Sequence, residues 1–366
     1  MIRFNVGAQQ PAAGEAYAAR LAAANDLVQR TLSQHGLLSG DSTQQQSLTH
    51  TFPLSGGLPN GFVNAPGHYK ATPAPLRDGA AFRQEIFKCD AGSRAYRLYV
   101  PATASKGVTG IVMMLHGCTQ TAEDFAAGTN MNTLAEDHGF VVVYPQQSRG
   151  ENAQSCWNWF RRGDQRRGRG EPAILAGLAQ QLMKDFGVSR EACFVAGLSA
   201  GAAMAVILGE TYAEVFAAVG AHSGLPYGAA KDVPSAFAAM AGNGRNSPAS
   251  QSSGKPVRTI VFHGTADTTV HPSNSDRIAR TVVNTAEGQL IETTKQGVAS
   301  GRSFSRTSIA QMNGAIEIEH WVVQGLGHAW SGGQPGGSYT DPKGPDASDA
   351  MIRFFYQIHQ GNHEND

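Results

Sequence analysis

The chain has 366 residues, with 29 Lys and Arg against 29 Asp and Glu, so its formal net charge is zero. No excess of cations is available to neutralise phosphates, which argues against a nucleic-acid partner and against an anionic membrane surface. Hydrophobic residues make up 41% and charged ones 16%, and no apolar run approaches the ~18 residues of a membrane-spanning helix, so a soluble protein with one large domain and an appendage is expected.

Residues 12–35 read as an amphipathic helix, with Tyr17, Leu21, Ala24, Val28 and Leu32 at steps of three and four and Gly36 as its stop. The first 30 residues hold no apolar h-region. Such a start leads to the expectation of a cytoplasmic chain, a secreted one being the alternative if a leader has been removed. Over 37–77 the composition turns to Gly, Ser, Thr, Gln and Pro without periodicity, the pattern of a linker or an extended arm. Residues 1–80 are therefore expected to form an N-terminal helix and arm, and residues 81–366 the main domain.

FRQEIF and AYRLYV alternate apolar and polar residues around the turn segment CDAGSR, which predicts an antiparallel hairpin. Then come short runs that are almost wholly apolar: GIVMML, FVVVYP, ACFVAGL, FAAVGAH, RTIVFHG and IEHWVVQG. Between them, helices are predicted at 122–138, 172–186, 200–211, 273–286 and 346–359. Runs apolar on both faces suit parallel strands buried between helix layers. The expected fold class is α/β, a mostly parallel sheet of about eight strands with helices on both faces. The Gly/Ser/Asn-rich stretch 241–255 reads as an excursion between two strands.

Gly197-Leu198-Ser199-Ala200-Gly201 joins the strand ACFVA to the helix-forming AAMAVIL. Glycines two before and two after a serine let the chain turn sharply and present its hydroxyl at the sheet's carboxyl edge, beside the positive end of a helix. A serine hydroxyl needs a base, and the base an orienting carboxylate, expected downstream in the order acid then histidine, each just past a strand end. Asp267, four residues past His263, and His328, in WVVQGLGHAW, meet that condition. Asp276 falls within a predicted helix, and His222, His263 and His320 lie on or beside strands, where packed core histidines are the expectation. His359 and His363 sit at the chain end.

An oxyanion must be met by preorganised donors. One is expected from the Ala200 amide, directly after the nucleophile, the other from the Cys118 amide in the loop His116-Gly117-Cys118-Thr119-Gln120. Trp157, Trp159 and Trp330 fall on loops expected above the same edge. With Gln120 they are read as substrate-binding, rimming a water-poor cleft for an acyl chain. The basic run RRGDQRRGRGE (161–171) reads as a solvated loop partly neutralised by Asp164 and Glu171. No phosphate-binding loop, dinucleotide fingerprint or H-E-x-x-H occurs.

LHGCTQTAEDFAAGTNMNTLAEDHGFVVVYPQQ, CWNWF, GLSAGAAMA, FHGTAD and GLGHAWSGG together resemble the polyhydroxybutyrate depolymerase family of serine esterases, within the α/β-hydrolase fold and related to feruloyl and acetylxylan esterases. The similarity runs over roughly residues 82–358. It implies a nucleophile at Ser199, an acid at Asp267, a base at His328 and oxyanion donors at the Cys118 and Ala200 amides. The substrate it implies is a carboxylic ester, without metal or organic cofactor. Family members that degrade solid polymer join the catalytic domain to a C-terminal binding domain. This chain stops soon after its last predicted helix, so small esters and soluble 3-hydroxybutyrate oligomers are expected over crystalline polyester. A feruloyl or acetylxylan esterase is the alternative; a non-catalytic binding protein on the same fold has no need to keep all of Ser199, Asp267 and His328. Cysteines stand at 89, 118, 156 and 193 with no C-x-x-C pair or zinc-like spacing. A Cys118–Cys156 bridge would pin the aromatic loop to the oxyanion loop; it is one of three pairings, and free thiols are the other reading.

Overall fold

Strands β1 (Ala81–Cys89) and β2 (Gly92–Val100) pair antiparallel with Cys89 opposite Gly92, so the chain reverses over Asp90 and Ala91 as the alternating pattern predicts. The computed structural model describes residues 76–244, 257–286 and 288–357, all within one compact unit, His68–Asp366. The predicted helix 12–35, the arm as far as residue 75, residues 245–255 of the excursion, His359 and His363 lie outside the described residues.

The apolar runs become β3 (Ile111–Leu115), β4 (Val141–Pro145), β5 (Cys193–Leu198), β6 (Ala218–His222), β7 (Arg258–Gly264) and β10 (Ile316–Val323). Two further strands, β8 (Leu290–Ala299) and β9 (Arg302–Gln311), form a hairpin. The sheet has ten strands rather than about eight, in the order β1-β2-β4-β3-β5-β6-β7-β10-β9-β8. It is parallel from β4 to β10 and antiparallel at both flanks, where β2 pairs β4 and β9 pairs β10. Residues 290–311 are polar and half-exposed, so they carry none of the apolar signal that marks the central strands.

The α-helices are α1 (Ala122–Thr129), α2 (Met131–His138), α3 (Gly170–Phe186), α4 (Ala200–Thr211), α5 (Val233–Ala238), α6 (Ser273–Thr285) and α7 (Ala347–Phe355) among the described residues. The stretch 122–138 forms two helices, because Asn130 adopts a left-handed φ of 55° that ends α1; asparagine tolerates that region better than most residues. Alternate residues of each central strand enter opposite cores. Met113, Leu115 and Val195 face α3 and α4, whereas Val112, Met114 and Phe194 face α7. Phe194 stacks on Phe355 at 4.9 Å, and full burial of such a ring contributes about 1.5–3 kcal/mol. Among the described residues no helix is long and apolar enough to cross a membrane.

Candidate active site

Ser199 sits between β5 and α4 with φ 57° and ψ −119°. A non-glycine residue in such a conformation costs of order 1–3 kcal/mol and persists only where its surroundings over-determine it. Here Gly201 packs directly on the Leu115 carbonyl at the end of β3, and Gly197 packs on Gly201, so a Cβ at either position would meet backbone. The Ser199 amide donates to the His222 carbonyl at 2.9 Å, tying the turn to β6.

Asp267 and His328 are brought together by two loops that zip along each other. Thr265 N donates to Val323 O and Ala266 N to Leu326 O, both at 3.0 Å, while Gly325 N donates to Thr265 Oγ1 at 2.9 Å. Gly264 lies against Leu326, where any side chain would collide with its carbonyl. His328 Nδ1 donates to Asp267 Oδ2 at 2.8 Å, which leaves Nε2 as the basic nitrogen. Asp267 Oδ1 accepts from Thr269 N at 3.0 Å and Val270 N at 2.9 Å. Burial alone would raise the Asp267 carboxyl; hydrogen bonds from His263 and His328, the His328 charge and the Val270 amide outweigh it and hold the group well below the usual carboxylate range.

His222 links the serine turn to the histidine loop. Its carbonyl holds Ser199 N, and its Nε2 accepts from Ser331 N at 3.0 Å. The segment after His328 thereby folds back onto the end of β6. Ser199 Oγ and His328 Nε2 have no hydrogen-bond partner among the described residues; contacts of this kind commonly tighten only once substrate is bound.

The loop expected to supply an oxyanion donor leaves β3, the parallel neighbour of β5, and Gly117 rests near the Leu198 carbonyl. Among the described residues neither the Cys118 nor the Ala200 amide donates to a protein acceptor. Cys118 is bridged to Cys156, so its thiol is not a nucleophile. Thr119, with φ 67°, is held by its amide on Gln154 O at 2.8 Å. His116 is buried and accepts Gln147 N on Nε2 at 3.0 Å, so its Nδ1 donates to Gly117 O at 2.7 Å.

The four residues read as substrate-binding are all buried. Trp157 and Trp330 are fully buried: Trp157 Nε1 donates to His116 O at 3.1 Å, and Trp330 stacks on His222 with Nε1 donating to Ser348 Oγ at 3.1 Å. Trp159 is also buried, edge-on to Phe160. An indole whose single N–H finds an acceptor packs inside at little cost, so Trp157 and Trp330 brace their loops from within. Gln120 is buried with both ends engaged, its Oε1 accepting Gly117 N at 2.8 Å and its Nε2 donating to Asp124 Oδ2 and to Ser338 O at 3.0 Å. It shapes the loop 116–120.

Sequence reasoning missed the polar group behind Cys156. Arg94 donates to Gln147 Oε1; Gln147 Nε2 donates to Glu171 Oε1 and, at 3.0 Å, to the Cys156 carbonyl. Glu171 Oε2 accepts Asn158 N at 2.7 Å, and the Arg94 guanidinium lies over the Trp157 ring. Glu171 is thus a buried anchor, pushed up in pKa by that burial, while the arginines of 161–169 are exposed as expected. Nothing in the sequence marks this group, whose members come from four separate segments.

A parallel sheet flanked by helices, a strained serine between strand and helix, and an Asp–His pair at the same edge define an α/β-hydrolase. An acetyl xylan esterase from Aspergillus awamori shares the fold, with a TM-score of 0.58 at 21% identity over 75% of this chain and 99% of that one. The chain belongs to the esterase PHB depolymerase family, whose profile matches residues 94–301. That range takes in Ser199 and Asp267, and His328 lies beyond it. The chain is 32% identical over 228 residues to poly(3-hydroxyalkanoate) depolymerase C of Paucimonas lemoignei, which is 60% of this chain and 54% of that protein. It is 30% identical over 194 residues to acetylxylan esterase A of Talaromyces purpureogenus, 48% of this chain and 50% of that protein. The chain thus spans about half the length of these curated relatives.

Proposed function

We propose that the chain is a serine esterase acting on short-chain polyhydroxyalkanoate esters, 3-hydroxybutyrate polymers or oligomers foremost. The observation that carries this reading is the 2.8 Å Asp267–His328 hydrogen bond in a loop tied through Ser331 to His222, the residue whose carbonyl holds the strained Ser199 turn. His328 Nε2 takes the proton of Ser199 Oγ as that oxygen attacks the ester carbonyl, and Asp267 fixes the tautomer and supports the imidazolium. The Cys118 and Ala200 amides receive the oxyanion. The alcohol departs with the proton from His328, and water hydrolyses the acyl-enzyme by the same route. Family membership and the Paucimonas relative support the polyester substrate.

A second reading, removal of acetyl groups from plant carbohydrate, is supported by the Talaromyces relative. Turnover of 3-hydroxybutyrate oligomers against acetylated xylan separates the two. Ser199→Ala should lower ester hydrolysis by about 10⁴-fold or more; a variant retaining wild-type turnover places the nucleophile elsewhere. The Cys118–Cys156 bridge supports an oxidising compartment rather than the cytoplasm.

A further inference from the structure

Asp267 faces two imidazoles, and the chemistry above uses only His328. The other, His263, is the penultimate residue of β7 and is fully buried. Its Nε2 lies 2.8 Å from the Val270 carbonyl and 3.3 Å from Asp267 Oδ2. A carbonyl can only accept, so Nε2 carries the proton and shares it between the two oxygens. Asp267 Oδ2 is also the atom that receives His328 Nδ1–H, while Oδ1 is filled by the Thr269 and Val270 amides. The carboxylate therefore meets four N–H groups. Val270 closes the turn from both ends, its amide on Asp267 and its carbonyl on His263. His263 Nδ1, buried and without a partner, is an orphan that an apolar filler at this position would not carry.

We propose that His263 is a positioning residue of the hydrolytic site, its Nε2–H holding Asp267 Oδ2 in line with His328 Nδ1 and sharing that oxygen's accepting capacity with the catalytic imidazole. This rests on the Ser199, Asp267 and His328 reading. Removing the donor has two effects. The carboxylate gains freedom to turn away from His328, and Oδ2, relieved of one proton donor, favours the imidazolium form of His328 more strongly. The ionisable groups around the pair are His328 on the loop after β10, His222 at the end of β6 and, behind His263, His320 on β10 with Asp276 on α6. None of these is a lysine or arginine that could replace the lost donor.

The test compares His263→Leu, His263→Gln and His263→Asn on a soluble chromogenic butyrate ester, with Ser199→Ala in parallel. A glutamine amide reaches the position of imidazole Nε2, and an asparagine amide does not. We expect His263→Leu and His263→Asn to lower kcat by about 10- to 100-fold with KM little changed, and to move the acid limb of kcat/KM upward by about half a pH unit or more. His263→Gln should recover kcat to within about threefold and restore the limb. The reacting fraction, counted by fluorophosphonate labelling, corrects for misfolded protein. If labelled His263→Leu turns over at the wild-type rate with an unshifted limb while Ser199→Ala is inactive, His263 merely fills the core. If Gln behaves as Asn does, the donor role is also lost. Retention of hydrolysis by Ser199→Ala would instead overturn the underlying site.

Discussion

Two residues facing each other across the site's rim hold left-handed backbone, Thr119 at φ 67° and Tyr339 at φ 52°. Their hydroxyls lie 3.4 Å apart, and the Tyr339 carbonyl accepts Trp330 N at 2.7 Å. Ser338, its neighbour, donates from N to Asp124 Oδ1 at 2.8 Å. The phenol, 38% exposed, is therefore fixed beside the residue that follows Cys118, the proposed oxyanion donor, in the place where the sequence suggested tryptophans. Tyr339→Ala should raise KM about three- to tenfold for oligomeric or long-acyl esters, which is about 0.7–1.4 kcal/mol of lost contact, and leave the acetate ester nearly unaffected. Steady-state kinetics on a graded ester series checks this; a uniform KM across the series removes Tyr339 from the substrate path. The pairing of His328 with Asp267 was legible because a serine placed as Ser199 is would need a histidine after the last parallel strand and a carboxylate to orient it. Tyr339 was not, since it lies in the Gly-rich segment GGQPGGSY, which has no periodicity. Burial of Trp157 was equally hidden, because it depends on a His116 carbonyl 41 positions away.

At the scale of elements, the site is a product of loops clamped in pairs. The clamp between the turn after β7 and the turn after β10 is closest at Gly264, where a single added methyl meets the Leu326 carbonyl. Gly264→Ala should push the two turns apart and lengthen the Asp267–His328 contact. Misplacement of about 1 Å can cost about 10²-fold in rate, so kcat should fall by roughly that factor while the strands beneath keep their cores. Comparing kcat with the thermal midpoint decides the matter: a rate loss no larger than the loss of folded protein would show that the clamp has no catalytic consequence. The central strands were readable because residues buried on both faces leave unbroken apolar runs. The β8–β9 hairpin was invisible for the opposite reason: a flank strand exposed along most of its length needs no apolar pattern. The break at Asn130 escaped for a subtler cause, since a left-handed residue inside a continuous helical pattern leaves little trace in periodicity.

For the whole molecule, two buried histidines that tie the loops together make stability depend on pH. Burial holds His116 down to about 4 and, with the nearby His263 and His328 charges adding to it, holds His222 down to about 3. Each is neutral when folded, because the Gln147 amide donates to one ring and the Ser331 amide to the other. In the unfolded chain both titrate near 6.5. Below that value the unfolded state binds more protons than the folded one, so stability must fall as pH falls. The loss begins near pH 6.5, approaches about 1.4 kcal/mol per pH unit for each histidine, and levels off for His116 near 4 and for His222 near 3. Glu171, raised in the fold by burial, takes up protons more readily when folded and so opposes the trend over the carboxylate range. Urea unfolding at successive pH values from 7 to 5 should therefore show a falling free energy, and, since burial also holds His320 down and adds to the slope, His116→Gln should reduce it by about a third to a half. An equal slope in that variant would mean that His116 is already protonated within the fold, against both its amide donor and its burial.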